Sequence, residues 1–241
     1  MRKLPLLVER KAIVVPGDVL AEGNFKPGDY VVRIGNKLFA TQIGLVEVKG
    51  NTVFVVPLRG KYIPRVGDLV IGTIVDYSLT SWKVDINSAY LATLPVDLAI
   101  NKKFDIIKDE LTRYFDIGDV IHAKIVAFSR VEMPILSTKD RGLGKLHGGM
   151  LYYIHPTRIP RLIGRKGSMI NLIKKETGCK IKIGQNGVIW VSCINPEYEM
   201  IVVKCIRKIE REAHTEGLTD RIKMLITEEK SKLSQRGATD E

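Results

Sequence analysis

The sequence predicts a multidomain chain of β and α+β units: two β-rich units in succession, then a smaller unit that mixes strands with helices. Three observations carry this. Short runs of alternating apolar and polar residues, each bounded by Gly, Pro, Asn or Asp, fill the chain from about residue 12 to residue 137. Beyond residue 150 the period changes, and strand-like runs alternate with segments whose apolar positions follow helical spacing. Finally, 241 residues with 45% hydrophobic composition are enough for two or three separate cores.

Residues 1–64 form the first unit. Strands are expected over Ala12–Val15, Tyr30–Ile34, Lys37–Thr41 and Thr52–Pro57. Gly35-Asn36 and Gly50-Asn51 are hairpin turn signals because both residue types tolerate positive φ, and Pro16-Gly17-Asp18 and Pro27-Gly28-Asp29 punctuate the unit similarly. No chemistry is indicated here; the unit is either a plain all-β scaffold or a docking surface.

The second unit spans residues 65–140. Leu69–Tyr77 reads as one strand, and Trp82, Val84 and Ile86 alternate with Lys83 and Asp85 in the next. A third strand lies near Tyr90–Leu94, and a polar loop, Asn101–Asp116, precedes Val120–Phe128 and Ile135–Ser137. Five strands with one long excursion before the fourth suggest an OB barrel. Trp82 shares a face with Val84 and Ile86, which favours core packing over a binding role. Lys83 and Lys124 are candidate phosphate contacts, or else solvated strand lysines.

In the connection Arg141–Gly149 four of nine residues are glycine, which fits either a short hinge or a tightly packed crossing, and Arg141 and Lys145 could bring it near an anion. The third unit covers residues 150–215. Leu151–Ile154 is strand-like, Arg158–Ile163 is a short helix, and Ser168–Thr177 is a second helix stopped by Gly178. Cys179, Ile181 and Ile183 alternate with Lys180 and Lys182, Gly184-Gln185-Asn186-Gly187 is a turn, and Val188–Ser192 returns as a strand. Asn195 and Pro196 then start a long helix with Tyr198, Ile201, Val202, Cys205, Ile206 and Ile209 on one face. Residues 216–241 add a C-terminal helix, Thr219–Lys232, and a tail expected to fray from Ser234.

Charge is uneven. The whole chain carries +11, and residues 150–213 hold 12 basic against 5 acidic side chains, as an anionic partner would require. Cys179, Cys193 and Cys205 are widely spaced and are expected to be reduced core residues. His122, His147, His155 and His214 have no ligand spacing, so neither a metal nor another cofactor is expected. The apolar run Leu4–Val8 is too short for a signal peptide and nothing reaches membrane-spanning length, so a cytoplasmic protein without a membrane partner is expected. Asp105, Asp109, Glu110 and Asp116 read as loop polarity, not as a metal-binding nuclease centre.

Between the two short helices of the third unit stands Arg161-Leu162-Ile163-Gly164-Arg165-Lys166-Gly167-Ser168-Met169-Ile170. It resembles the G-x-x-G loop of KH domains, which clamps a single-stranded nucleic-acid backbone. The order strand, helix, G-x-x-G, helix, strand, strand, helix is that of a type I KH domain. Glycines let main-chain N–H groups approach phosphates, and the basic residues supply charge. The candidate RNA-binding residues are Gly164, Arg165, Lys166 and Gly167, flanked by Arg158 and Arg161, with Lys145, Lys83 and Lys124 further off. The barrel, with Gly67-Asp68 and Gly118-Asp119 near its ends and Leu136-Ser137-Thr138-Lys139-Asp140 at its close, is similar to the S-one-type RNA-binding OB domain. It departs from that family where base-stacking aromatics are usual, with Thr80 and Lys83 at that turn.

This domain order, over nearly all of the chain, resembles the KH-containing RNA-binding cap subunit of the archaeal RNA exosome. The resemblance implies a non-catalytic protein. Its partners would be single-stranded RNA and the ribonuclease PH-type exosome ring, which the N-terminal unit would grip, with three copies per ring mixed with the zinc-ribbon cap subunit. Barrel and KH domain would recruit RNA, adenine-rich tails among it, for 3′–5′ degradation. A NusA-like transcription or translation factor is the alternative, although that family carries two tandem KH domains of the other topology. Polynucleotide phosphorylase needs two ribonuclease PH domains for which the chain has no room.

Overall fold

A computed structural model of the chain describes residues 6–58, 61–100, 102, 104, 110–129, 132–213, 215 and 217–237. The fold divides into two units between residues 60 and 61. The first contains β1 (Ile13–Val14), β2 (Val19–Glu22), β3 (Lys26–Pro27), β4 (Val31–Ile34), β5 (Lys37–Ala40), β6 (Gly44–Lys49) and β7 (Thr52–Pro57). They make two sheets, ordered β1-β6-β7-β3 and β2-β5-β4. Alternation puts Val46, Val53 and Val55 into the same core as Leu20 and Leu38.

Two hairpin turns follow the expected signals. Gly35-Asn36 closes Ile34 on Lys37, and Gly50-Asn51 closes Lys49 on Thr52. Only the glycines use positive φ, 60° in both turns, as a glycine at the first central position of a II′ turn does. Strands β2, β3 and β6 were not expected. A register shift between Val19 and Ala21 puts consecutive residues Leu20 and Ala21 in the core, which breaks the alternation that would have marked β2.

In the second unit β8 (Leu69–Tyr77), β9 (Ser81–Asp85), β10 (Leu91–Pro95), β11 (Val120–Ala127) and β12 (Ile135–Ser137) form the barrel. It closes because β12 pairs with both β10 and β11. Helix α1 (Val96–Ala99) follows β10. Trp82 is wholly buried; its indole N–H donates to the Phe115 carbonyl at 3.0 Å and its ring meets Phe115 edge-on. Of the loop carboxylates, Glu110 lies 3.7 Å from Arg113 and Asp116 accepts the Ile117 N–H, while Asp105 and Asp109 lie outside the described residues.

The glycine-rich connection is a packed crossing. Its residues Gly144–Leu146 form β13, which pairs with β11 alongside the barrel. The KH unit follows: β14 (Met150–Tyr153), a 3-10 turn over Pro156–Arg158, α2 (Ile159–Ile163), α3 (Ser168–Thr177), β15 (Lys180–Ile183), β16 (Val188–Ser192) and α4 (Pro196–Arg211). Its sheet is ordered β14-β16-β15, with every pairing antiparallel. Leu162, Ile173, Val202, Cys205, Ile206 and Ile209 bury the helices' apolar faces in one core with Ile181, Ile189 and Val191 of the sheet. Asn195 caps α4 by accepting the Glu197 N–H at 2.9 Å.

Helix α5 (Leu218–Gly237) seals this core with Ile222 and Ile226. It continues past Ser234, where fraying was expected, and residues 238–241 lie outside the described residues, as does His214. The cysteines also depart from expectation. Cys179 and Cys193 are joined in a disulfide, whereas Cys205 is free and buried. The cause is register: Lys180 faces Ser192 across the β15–β16 hairpin, so the next pair outward is Cys179 and Cys193. Burial pushes the Cys205 thiol up to about 12, which leaves it an inert core group.

Among the described residues no helix is long and apolar enough to cross a membrane, and no cluster of His, Cys, Asp or Glu is arranged to hold a metal ion.

Candidate nucleic-acid interface

Helix α2 ends where Gly164 takes φ 74° and ψ 175°, donating its N–H to the Pro160 carbonyl at 3.0 Å. A side chain there would collide with α3, since a Cβ would lie 2.8 Å from the Met169 backbone nitrogen. Gly167, at φ 80°, donates to the Gly164 carbonyl at 3.2 Å and closes the turn. Between them Lys166 is held in the left-handed region, φ 51° and ψ 30°, which costs a non-glycine residue about 1–2 kcal/mol. Both glycines therefore serve the backbone path, and the loop is not a slack surface turn.

Arg165 and Lys166 are exposed, and among the described residues neither is held by a side-chain partner. No side chain caps α3, so the positive end of its dipole opens onto the same loop. Two exposed cations beside the positive end of a helix suit a phosphodiester backbone.

Arg158 lies half-buried in the 3-10 turn leading into α2. Arg161, on α2, donates to the Thr215 carbonyl at 2.8 Å and braces the connection between α4 and α5. These two and the four loop residues are brought together. The other three candidates stand apart on or beside the barrel, each already paired with a carboxylate: Lys83 with Asp76 at 2.8 Å, Lys124 with Asp140 at 2.9 Å, and Lys145 with Asp119. The Lys83 hydrogen bond, with the Tyr77 N–H second, holds the Asp76 carboxyl below the usual range. Exposed pairs of this kind stabilise little, but they leave the tips without net charge.

Barrel and KH unit meet through the β15–β16 turn. Asn186 is fully buried: its Nδ2 donates to the Ile71 and Ile86 carbonyls at 2.7 and 2.8 Å, and its Oδ1 accepts the Ile71 N–H at 3.3 Å. Gln185 exchanges bonds with Leu69, donating its N–H at 2.8 Å and accepting the Leu69 N–H on Oε1 at 2.6 Å. Pairing of β8 with β9 begins only at Thr73, so Leu69 and Ile71 offer an open strand edge that the turn fills. Ile71, Val188 and Trp190 form a small apolar core behind it, and the Trp190 indole donates to the Gly148 carbonyl at 2.7 Å.

Sequence reasoning did not anticipate Asn186, nor the lysines Lys174, Lys180 and Lys182 that gather where β15 faces β13. The alternation of Lys180 and Lys182 was the available signal, and it served only to identify a strand.

Comparison with known proteins agrees with this architecture. Residues 11–59 match the family model "Exosome RNA binding protein RRP4 N-terminal domain", residues 61–127 match "RRP4, S1 domain", and residues 151–213 match "KH domain". The exosome complex component Rrp4 of Thermococcus kodakarensis is 47% identical over 98% of this chain and 93% of its own length. That of Pyrococcus furiosus is 46% identical over 98% and 90%. A solved structure described as an exosome complex RNA-binding protein superposes with a TM-score of 0.66 at 40% identity, covering 71% of this chain and 98% of that one. Near-full-length identity of this degree, with all three modules in the same order, places the chain in the Rrp4 family of exosome complex components.

Proposed function

We propose that this chain is a non-catalytic RNA-binding subunit that caps the exosome's ribonuclease PH-type ring and guides single-stranded RNA to it. The carrying observation is the G-x-x-G loop, with Arg165 and Lys166 exposed beside the uncapped start of α3. Family membership supplies the setting. The two named relatives are exosome components, and the structural neighbour is described as RNA-binding. The finer terms of the reading follow the resemblance: the N-terminal unit docks on the ring, three copies share it with the zinc-ribbon cap subunit, and the complex acts in the cytoplasm. The non-catalytic reading is supported by the roles of Glu110 and Asp116, which are spent on a local ion pair and a turn. The NusA-like alternative is not favoured, because the full-length relatives are exosome components.

The test is the double substitution Arg165→Asp/Lys166→Asp. It reverses two charges beside the phosphates, and affinity for single-stranded RNA should fall at least about tenfold, or roughly 1.4 kcal/mol. The thermal midpoint should barely move, because exposed substitutions typically change stability by no more than about 0.5 kcal/mol. An RNA affinity within about twofold of the parent, in a folded variant, would remove the loop from the binding site. RNA turnover by the isolated, nuclease-free chain would overturn the non-catalytic part.

A further inference from the structure

The disulfide between Cys179 and Cys193 stands where the KH sheet hands over to its helices. The β15–β16 ladder ends at Lys180 and Ser192. One step further out, the bond joins the residue after Gly178, the stop of α3, to a residue just ahead of Asn195, the cap of α4. The flanking positions pack little: Gly178 is exposed with open space where a side chain would stand, and Ile194 is fully exposed. Cys193 is itself fastened to the start of α4, since its N–H donates to the Glu199 carboxylate at 3.2 Å. The disulfide thus fixes the C-terminal end of α3 to the first turn of α4.

The two sulfurs differ in environment. Cys179 is buried, whereas Cys193 is partly exposed, so a nucleophile reaches Cys193 first. Cys179 shares the wall of a groove with Lys174, Lys180 and Lys182, and their charge stabilises the thiolate that would leave from it. The other end of α3 carries the G-x-x-G loop. Gly164 packs so near the Met169 backbone nitrogen that a Cβ would lie 2.8 Å from it, and loop and helix therefore move together. Because α3 has ten residues and is about 15 Å long, a tilt at its C-terminal end reaches the loop. Met169, Ile170 and Ile173 lie in the KH core and keep the helix folded with or without the bond.

We infer that the Cys179–Cys193 disulfide is a reversible redox clasp, which holds α3 and the G-x-x-G loop in the RNA-binding arrangement when closed and loosens them when a dithiol reduces it. The inference rests on the RNA-binding and cytoplasmic readings above and extends them to regulation; disulfides in the cytoplasm are typically transient or redox-sensing. In the step itself a thiolate of the dithiol attacks the Cys193 sulfur, the Cys179–Cys193 bond breaks, and Cys179 leaves as thiolate. The second thiolate of the dithiol then attacks its own sulfur in the mixed disulfide and displaces Cys193. Two electrons pass to the protein, the dithiol becomes a disulfide, and its two protons end on the Cys179 and Cys193 thiols.

The test treats the full chain with dithiothreitol in native buffer, traps free thiols with iodoacetamide and counts them by mass spectrometry. Two thiols should appear without denaturant and close again with oxidised dithiothreitol, while the buried Cys205 stays unlabelled. Single-stranded RNA, followed by fluorescence anisotropy, should bind the reduced chain at least about threefold more weakly, with recovery on reoxidation. Cys179→Ser/Cys193→Ser should bind like the reduced chain and respond to neither reagent. Resistance to reduction until urea unfolds the chain would make the bond a permanent staple and overturn the clasp. Global unfolding on reduction, seen by circular dichroism, would overturn it too, as would an affinity that changes by less than about threefold. If neither form binds RNA, the RNA-binding reading fails, and amide hydrogen exchange judges the clasp by itself. Faster exchange at Gly164–Ser168 and along α3 after reduction supports it; unchanged exchange there overturns it.

Discussion

His122 sits on β11 with only 5% of its surface exposed, so a single imidazole couples the barrel's stability to pH. Burial, then the nearby Lys182 charge, push its pKa below the ordinary 6.5, with the Gly142 carbonyl acting the other way. The folded chain therefore resists protonation more than the unfolded chain does. As pH falls the unfolded state takes up the proton first, and stability fully present above about 6.5 is lost on acidification. We expect the thermal midpoint to drop between pH 7.5 and pH 5, and to drop less in His122→Gln. Equal drops in the two proteins, followed by circular dichroism, would show that other groups set the acid sensitivity. His122 was legible in the sequence only as a scattered histidine; its burial comes from strands that lie far from it along the chain.

The β15–β16 turn is the element on which the second unit depends most. A four-residue stretch, Gly184-Gln185-Asn186-Gly187, completes the open edge of β8 and ties two domains into one body. Truncating Asn186 to Ala would leave the Ile71 N–H and the Ile71 and Ile86 carbonyls without their present partner, and each buried orphan costs about 1–3 kcal/mol. A loss of about 2–4 kcal/mol in urea unfolding is the expected result, after partial relaxation and entry of water. A change under about 0.5 kcal/mol would mean that the turn merely rests against the barrel. The turn itself was recognised from its glycines. What it docks against was not, because nothing within four residues encodes an acceptor 100 or more positions away.

The first unit has a core of its own, built from Val14, Leu20, Leu38, Val46, Val53 and Val55, while among the described residues the barrel and KH cores are built from residues beyond 60. Removal of residues 1–60 should therefore leave a fragment that unfolds cooperatively and still binds RNA, but no longer associates with the ribonuclease PH-type ring. Size-exclusion chromatography of the fragment mixed with the ring checks this. Co-elution would move the docking role from the first unit to the barrel or the KH unit.

Most of the secondary structure and the G-x-x-G loop were readable because they depend on short-range physics: apolar and polar residues alternating in β9 and β15, the Asn195-Pro196 start of α4, Gly178 at the end of α3, and glycines where φ must be positive. Each of these signals lies within a few residues of the structure that it specifies. The features that escaped, or stayed ambiguous, depend on partners distant in the chain. Arg141–Gly149 has the composition of a hinge and of a crossing alike, and only the free edge of β11 made it a strand. Cys179 and Cys193 looked like isolated core thiols until hairpin register set them opposite one another. Lys83, Lys124 and Lys145 looked like available cations until folding brought Asp76, Asp140 and Asp119 to them, while Lys174, Lys180 and Lys182 were gathered on one wall of a groove. Periodicity determines which side of a strand or helix a residue occupies; which charge or strand edge that side then meets is settled by register and packing, whose free energies arise only when remote segments are brought together.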